Sequence, residues 1–397
     1  MNQGIRMNQA DGSYQISYRN DRDWQAPDEG WVILDDFFPD LQTGFRIAEY
    51  NALLEKFPRL SVHSTRLRFD RYHRRYSHVY PELAPRVKQF LRGALKQPSF
   101  AYLNFVNNAC DFLHFVEQRK TPFVFTLYPG GGFGIDARES DTKLDCVCAS
   151  PMLKHVIVTQ KLTADYLHAR HPSVPSTLIF GCVVHPLYFS EAGAPRSWFG
   201  EGKATFDVCF VAGKYMRHGW NKGYPVFIDA GRRLAAIVPE TRLHVVGDFE
   251  PADWPLEALA ERVTFHGRLR TQKLREFYRE MDVIASPNIP FLLHPGHFDG
   301  FPTGACAEAS LCGVAMVVSD VLRLNTEYQA GDELIVAAPE AEAVSEALVA
   351  LARDPEHLRA VALAGQEKSR ALYAPDRQIL PRIAILEREA RACGVSL

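Results

Sequence analysis

Short apolar runs alternate with stretches of helical periodicity along most of the chain. The first, Trp31-Val32-Ile33-Leu34, ends at Asp35-Asp36. A loop containing Thr43-Gly44 follows, then a helical pattern through Ala48, Leu53 and Leu54. Strand, loop and helix in that order open a Rossmann-like unit. Residues 100–106, 121–127, 155–159 and 176–180 are the next predicted strands, and the second of these runs into Pro129-Gly130-Gly131-Gly132. Gly193, Pro195, Gly200 and Gly202 mark a linker. Beyond it the alternation restarts, with strands predicted at 206–211, 242–246, 263–265, 283–286, 314–319 and 333–336. Helices are predicted at 226–237, 272–280 and 305–312, and three more close the chain at 344–353, 355–372 and 376–393. Such alternation argues for parallel α/β sheets. The predicted fold class is α/β, with two Rossmann-like doubly wound domains facing across a cleft. Residues 1–30 form a polar arm, 31–195 the N-terminal domain and 196–375 the C-terminal domain. Ligands of such sheets bind at the carboxyl ends of the strands.

Composition narrows the function classes. The chain has 397 residues, enough for two or three domains. Lys+Arg is 45 against 47 Asp+Glu, so a nucleic-acid partner is not expected. No apolar run approaches 18 residues and residues 1–30 carry no apolar signal-peptide core, so a cytoplasmic protein is expected. Cys146 and Cys148 form a C-x-C pair with no second pair at zinc spacing, and reduced thiols without a metal are expected. Asp21-Arg22-Asp23 matches a D-x-D metal motif, but no apolar strand leads into it, and it reads as a solvated loop.

Candidate chemistry concentrates in the second half. Residues 298–320 contain Asp299-Gly300-Phe301-Pro302-Thr303-Gly304, a short helix bearing Glu308, then Cys312-Gly313-Val314-Ala315-Met316-Val317-Val318. A loop running into a helix presents unpaired N–H groups to an anion, here from Thr303, Gly304 and Ala305. Glu308 lies about one turn in, where a carboxylate can accept hydrogen bonds from both hydroxyls of a ribose. Lys222, with Arg217 or Lys214 nearby, can neutralise a diphosphate as it leaves.

This segment resembles the signature of family-4 retaining glycosyltransferases of the GT-B fold. Four further stretches are similar to the family's motifs in the expected order: Gly213 with Lys222-Gly223, Leu243-His244-Val245-Val246-Gly247-Asp248, Val263-Thr264-Phe265-His266-Gly267, and Met281-Asp282-Val283-Ile284-Ala285-Ser286-Pro287. The likeness covers about 205–336. It implies a nucleoside-diphosphate-sugar donor in the C-terminal domain and an acceptor, a glycan or lipid-linked glycan, in the N-terminal domain. It also implies a role in cell-surface polysaccharide or glycoconjugate synthesis. By the resemblance, Glu308 holds the ribose, Lys222 and Arg217 the diphosphate, and Asp299 the transferred sugar, with retention of configuration and without a metal or other cofactor. Gly213 and Lys214 belong to the phosphate loop, Gly267 and Arg268 flank the base, and Ser286-Pro287-Asn288 shapes the same pocket. The helix at 376–397 is expected to cross back onto the N-terminal domain. The same fold hosts sugar-nucleotide epimerases, and an inactive nucleotide-sugar-binding scaffold is a further alternative.

Three departures stand out. The family's acidic pair is usually spaced E-x7-E, and here Asp299 and Glu308 give D-x8-E. The family's loop Arg falls at Lys214, three residues before Arg217. On the acceptor side, where Gly44, Gly130 and Gly131 are candidates, Tyr128 stands where the family often has a sugar-contacting His. His294 and His297 flank the Asp299 loop, as substrate or loop contacts. Residues 59–96 hold ten Lys/Arg against two Asp/Glu, with Tyr72, Tyr76 and Tyr80 interleaved. This reads as a basic-aromatic face for anionic lipid at the inner side of the cell membrane, or as a solvated helix-loop surface.

Overall fold

The computed structural model describes residues 5–7, 14–16, 30–93, 95, 97–190 and 196–395. Asp21-Arg22-Asp23 and the Gly193–Pro195 part of the linker lie outside them. Near the N-terminus, β1 (Ile5–Met7) pairs antiparallel with β2 (Tyr14–Ile16).

The N-terminal domain is built from β3 (Trp31–Asp35), α1 (Gly44–Lys56), β4 (Ser61–Ser64), α2 (Phe69–Val79), β5 (Val87–Gln89), β6 (Phe100–Asn104), α3 (Val106–Gln118), β7 (Phe123–Leu127), α4 (Arg138–Cys148), β8 (Leu153–Val158), α5 (Lys161–Arg170) and β9 (Ser176–Leu178). All seven strands of its sheet, in the order β5-β4-β3-β6-β7-β8-β9, run parallel. Every residue of β3, β6 and β7 is buried, which is why these strands read as mostly apolar runs, with Asp35, Asn104 and Thr126 as single polar positions, rather than as alternations.

A short parallel pair, β10 (Trp198–Phe199) with β11 (Gly202–Lys203), leads into the second domain. This contains β12 (Phe206–Val211), α6 (Tyr224–Ile237), β13 (Thr241–Val246), β14 (Val263–Gly267), α7 (Thr271–Tyr278), β15 (Val283–Ser286), α8 (Gly304–Leu311), β16 (Ala315–Val318), β17 (Ile335–Val336), α9 (Ala341–Arg353) and α10 (Pro355–Tyr373). Its parallel sheet has the order β14-β13-β12-β15-β16-β17. In both sheets the strand order reverses beside the first strand, between β3 and β6 and between β12 and β15. A crevice opens at each such reversal.

The last helix, α11 (Pro375–Ala392), leaves the second domain and packs on the first. Ile379, Ile383, Ile385, Leu386 and Ala390 join the core formed by Trp31, Ile33, Leu53 and Ile157. Arg382, fully buried, ends within reach of Glu49 (3.7 Å) and the Tyr128 hydroxyl (3.4 Å).

The structure differs most from the sequence expectation at three places. Gly44 starts α1 rather than ending a loop, because buried Asp35 accepts the Phe37 and Phe38 N–H groups, the Arg46 guanidinium and the Tyr50 hydroxyl and so folds the β3–α1 loop tightly. The strand expected over 100–106 stops at Asn104, and Val106 already belongs to α3. Residues 59–96 hold two strands as well as a helix. β4 and β5 escape notice because Ser-Val-His-Ser and Val-Lys-Gln contain one apolar residue each.

Candidate active site

The segment after β12 brings Lys222 to the crevice. Its ammonium lies 2.5 Å from Asp299 Oδ1 and 5.3 Å from the centre of the Tyr215 ring, and the residue is only 8% exposed. The next residue, Gly223, has φ 72°, and a Cβ there would sit 1.9 Å from the Pro287 carbonyl oxygen. Only glycine lets these two loops close. The Ile289 N–H donates to the Asn221 carbonyl at 3.0 Å and ties them further.

Asp299 lies on the long connection from β15 to α8. Its Oδ1 takes Lys222, and its Oδ2 accepts from Asn288 Nδ2 at 2.7 Å. The α8 helix is capped by Thr303, whose Oγ1 accepts from the Cys306 N–H at 3.4 Å. Gly304 is exposed at its first turn, and a Cβ there would meet nothing closer than the Cys182 thiol at 3.9 Å. The Glu308 carboxylate reaches across to the other domain, where Oε1 lies 3.2 Å from a Cβ placed on Gly44. Burial pushes the Glu308 carboxyl up to about 7, and a hydrogen bond with the Tyr188 hydroxyl offsets part of that rise.

Two of the expected cations are placed differently from Lys222. Lys214 is turned onto Asp253, at 2.8 Å, and not onto Asp299, which takes Lys222. Arg217 is exposed at the start of the short helical segment Arg217–Lys222. Arg268 forks onto Asp248 and also donates to Gln42 of the opposite domain, next to Gly267. Gly213 packs against the Tyr215 ring, and Pro287 is buried under Gly223.

From the first domain, the glycine-rich turn after β7 forms the facing wall. Gly131 has φ 55°, and a Cβ there would overlap the Phe105 ring. Gly130 faces His297, whose Nε2 is 3.5 Å from a Cβ placed there. The turn is clasped to the Asp299 loop by the Ile135 N–H, which donates to the Gly296 carbonyl at 3.0 Å, and Gln160, at the start of α5, adds a bond from Nε2 to the Phe301 carbonyl at 3.2 Å. Burial holds His297 below the usual imidazole value; Asp299 opposes this, and Lys222 and His294 add to it. His297 is therefore neutral at pH 7.

Tyr128, which stands at the family's histidine position, has its hydroxyl engaged inside the domain. Its hydroxyl donates to Glu49 Oε2 at 3.0 Å inside the domain, and its ring packs on Phe45 and Phe105. Glu49 is fully buried and also receives the Tyr102 hydroxyl and Asn104 Nδ2. Burial, with Glu49 beside it, raises the Tyr128 phenol well above its ordinary value. No spacing in the sequence connects Glu49, Tyr128 and Arg382, so nothing there announces this network. Tyr188 on Glu308 and Tyr215 over Lys222 were missed for the same reason. Among the described residues, no three His, Cys, Asp or Glu side chains are gathered in a metal-binding group.

On the basic segment, α2 turns Phe69 and Tyr76 inward and leaves Arg68, Arg71, Arg74 and Arg75 exposed, beside Leu67 at 79% exposure. Not all of the segment's charge faces solvent. Arg66 pairs with Asp40 at 2.8 Å, and Arg86 donates to the Phe57 carbonyl. Among the described residues, no helix is long and apolar enough to cross a membrane.

No curated protein sequence matches the chain. Its fold is shared along nearly the whole length with sucrose-phosphate synthase from Thermosynechococcus elongatus (17% identity, TM-score 0.62, covering 91% of this chain and 99% of that one). HepE of Anabaena in complex with UDP-glucose superposes equally well (17% identity, TM-score 0.63, 92% and 99%). A glycosyltransferase from Rickettsia africae does so at 10% identity (TM-score 0.62, 91% and 98%). Residues 206–354, which carry Lys222, Asp299 and Glu308, match the family model of glycosyl transferases group 1, and the chain as a whole has the GT-B fold of such enzymes.

Proposed function

We propose that this GT-B glycosyltransferase moves a sugar from a nucleoside-diphosphate donor to a glycan or lipid-linked acceptor, with retention and without a metal. The observation that carries the reading is the convergence of Lys222, Asp299 and the α8 N-terminus in one crevice, opposite Gly44 and Gly130. A diphosphate there meets a helix N-terminus and the Lys222 ammonium. Glu308 accepts from the ribose hydroxyls, and Asp299 holds the transferred sugar. Arg217 is favoured over Lys214 as the second cation, since Lys214 is committed to Asp253. The acceptor hydroxyl attacks the anomeric carbon on the face that the diphosphate leaves. The bond from that carbon to the phosphate oxygen breaks, and the departing phosphate takes the hydroxyl proton. No protein base is required, which agrees with Tyr128 being a buried phenol. The clasp between the glycine turn and the Asp299 loop excludes water from the reacting atoms.

The exposed arginines of α2 are proposed to rest on anionic lipid, bringing a lipid-linked acceptor to the cleft. A place in cell-surface glycan synthesis at the inner face of the membrane follows from that acceptor class. HepE was solved with UDP and with UDP-glucose, which supports testing uridine donors first. The experiment measures nucleotide release from a panel of nucleoside-diphosphate sugars, with and without acceptor, in the presence of a chelator. The anomeric configuration of the product is then read by NMR. Released nucleotide and a retained anomer support the reading. Epimerised donor with no nucleotide released points to an epimerase, and an absolute need for a divalent ion removes the metal-free mechanism.

A further inference from the structure

Asp299 sits on a connection one residue longer than the family spacing, yet both its carboxylate oxygens are engaged. Oδ1 faces Lys222 at 2.5 Å and Oδ2 accepts from Asn288 Nδ2 at 2.7 Å. Asn288 is itself fixed to the sheet. Its Oδ1 accepts from the Ser286 hydroxyl at 3.0 Å, which leaves its NH2 as the edge turned to Asp299. Its backbone N–H donates to the Ser286 carbonyl at 3.0 Å, and its carbonyl accepts from the Ser319 hydroxyl at 2.6 Å. Ser286 ends β15, and Ser319 follows β16, the strand paired with it. The chain of contacts therefore runs from two rigid strand ends, through one amide, to a carboxylate on a long loop.

We propose that Asn288 is the positioning residue for Asp299. It holds Oδ2 against the strand ends, so that Oδ1 stays turned to Lys222 and the crevice despite the longer loop. The inference rests on the proposed transfer reaction, in which Asp299 and Lys222 act on the donor. Geometry of this kind is worth most in the transition state, because misplacing a group by about 1 Å costs rate more than affinity.

The test uses the full chain with the donor identified by nucleotide release. Asn288→Ala removes the amide and is expected to lower kcat roughly 10- to 100-fold, the worth of a hydrogen bond to a charged group, while the donor KM stays within about twofold. Ser286→Ala, one step further out, gives a smaller loss of the same kind. Asn288→Asp keeps the size but sets two carboxylates together. Its deficit is expected to be largest at pH 8 and to shrink towards pH 5.5, because a proton shared by the two groups restores a donor to Oδ2. The other titratable groups facing this site, among the described residues, are Lys222, from the segment before α6, His297 and His294, from the same loop, and Asp320, from the segment after β16. They are common to parent and variant and cancel in the ratio of activities. A purely structural role moves the melting temperature without that pH dependence. If the parent enzyme is active and Asn288→Ala, or Asn288→Asp at pH 8, keeps kcat within twofold, or the Asn288→Asp deficit is the same at both pH values, the positioning role is overturned and the function stands. If the parent releases nucleotide from no donor, the function fails and the positioning role falls with it.

Discussion

Gly223→Ala is the substitution whose cost the structure specifies most completely. Gly223 has φ 72° and stands between Lys222 and α6. An alanine held in that conformation costs about 1–2 kcal/mol. Its Cβ would also lie 1.9 Å from the Pro287 carbonyl oxygen, about 1 Å closer than any real contact allows. The oxygen belongs to backbone, and the Asn221–Ile289 hydrogen bond anchors the same two loops, so neither side yields without a rearrangement. Overpacking of this kind adds roughly 1–3 kcal/mol. The sum, about 2–5 kcal/mol, lowers the melting temperature of a domain this size by roughly 5–15 °C. The loops part on the side where Lys222 meets Asp299. A displacement of about 1 Å there predicts a loss of about 100-fold in transfer. Thermal melts give the first number and nucleotide release the second. A variant that melts within 1 °C of the parent, or that keeps activity within twofold, refutes the argument that this contact holds Lys222 in place.

Four further predictions follow from named contacts. Glu308→Gln should weaken nucleotide binding by roughly 10- to 100-fold in calorimetry, because a neutral amide replaces a charged acceptor. Burial raises the Glu308 carboxyl to about 7, so the folded state favours its protonated form. Parent stability contributed by this group is present below the unfolded value and is lost as pH rises towards 7. Relative to the parent, Glu308→Gln should therefore gain in melting temperature between pH 5 and pH 8, while parent nucleotide affinity falls below pH 7. Tyr128→Phe should cost about 1–3 kcal/mol in denaturant unfolding, because buried Glu49 loses a donor, with kcat unchanged; a large loss of kcat at unchanged stability would put the hydroxyl back on the sugar. His297→Ala should reduce kcat by about 10-fold or more with nucleotide affinity unchanged if the imidazole contacts the substrate, and equal kcat would leave His297 a loop contact. Reversing Arg71, Arg74 and Arg75 to Glu should abolish sedimentation with anionic vesicles, at about 1 kcal/mol per lost cation, and leave donor hydrolysis intact; unchanged sedimentation would leave α2 a solvated face.

The apolar runs by themselves pointed to the two doubly wound sheets, because strands buried on both faces are mostly apolar, with only single polar positions such as Asp207 and Thr126. Residues 206–211 and 283–286 coincide with the observed strands for that reason. The C-terminal motifs were legible one by one, since a loop running into a helix N-terminus and a lysine followed by glycine are short local patterns, but only the fold sets Lys222 against Asp299, 77 residues later. β4 and β5 were not legible, because a short edge strand holds too few apolar residues to register. Contacts between residues far apart in sequence were beyond any local pattern. Asp35 draws the start of α1 onto the end of β3 by accepting from the Arg46 guanidinium and the Tyr50 hydroxyl, 11 and 15 residues on. Lys214 looks as available as Lys222 until Asp253 is seen beside it. Tyr128 looks like a substitute for a cleft histidine until Glu49, 79 residues earlier, and Arg382, 254 residues later, are seen to enclose its hydroxyl. A sequence displays which chemistries a segment can offer. Which of them faces the cleft is set by burial and pairing, and those exist only once distant segments have packed.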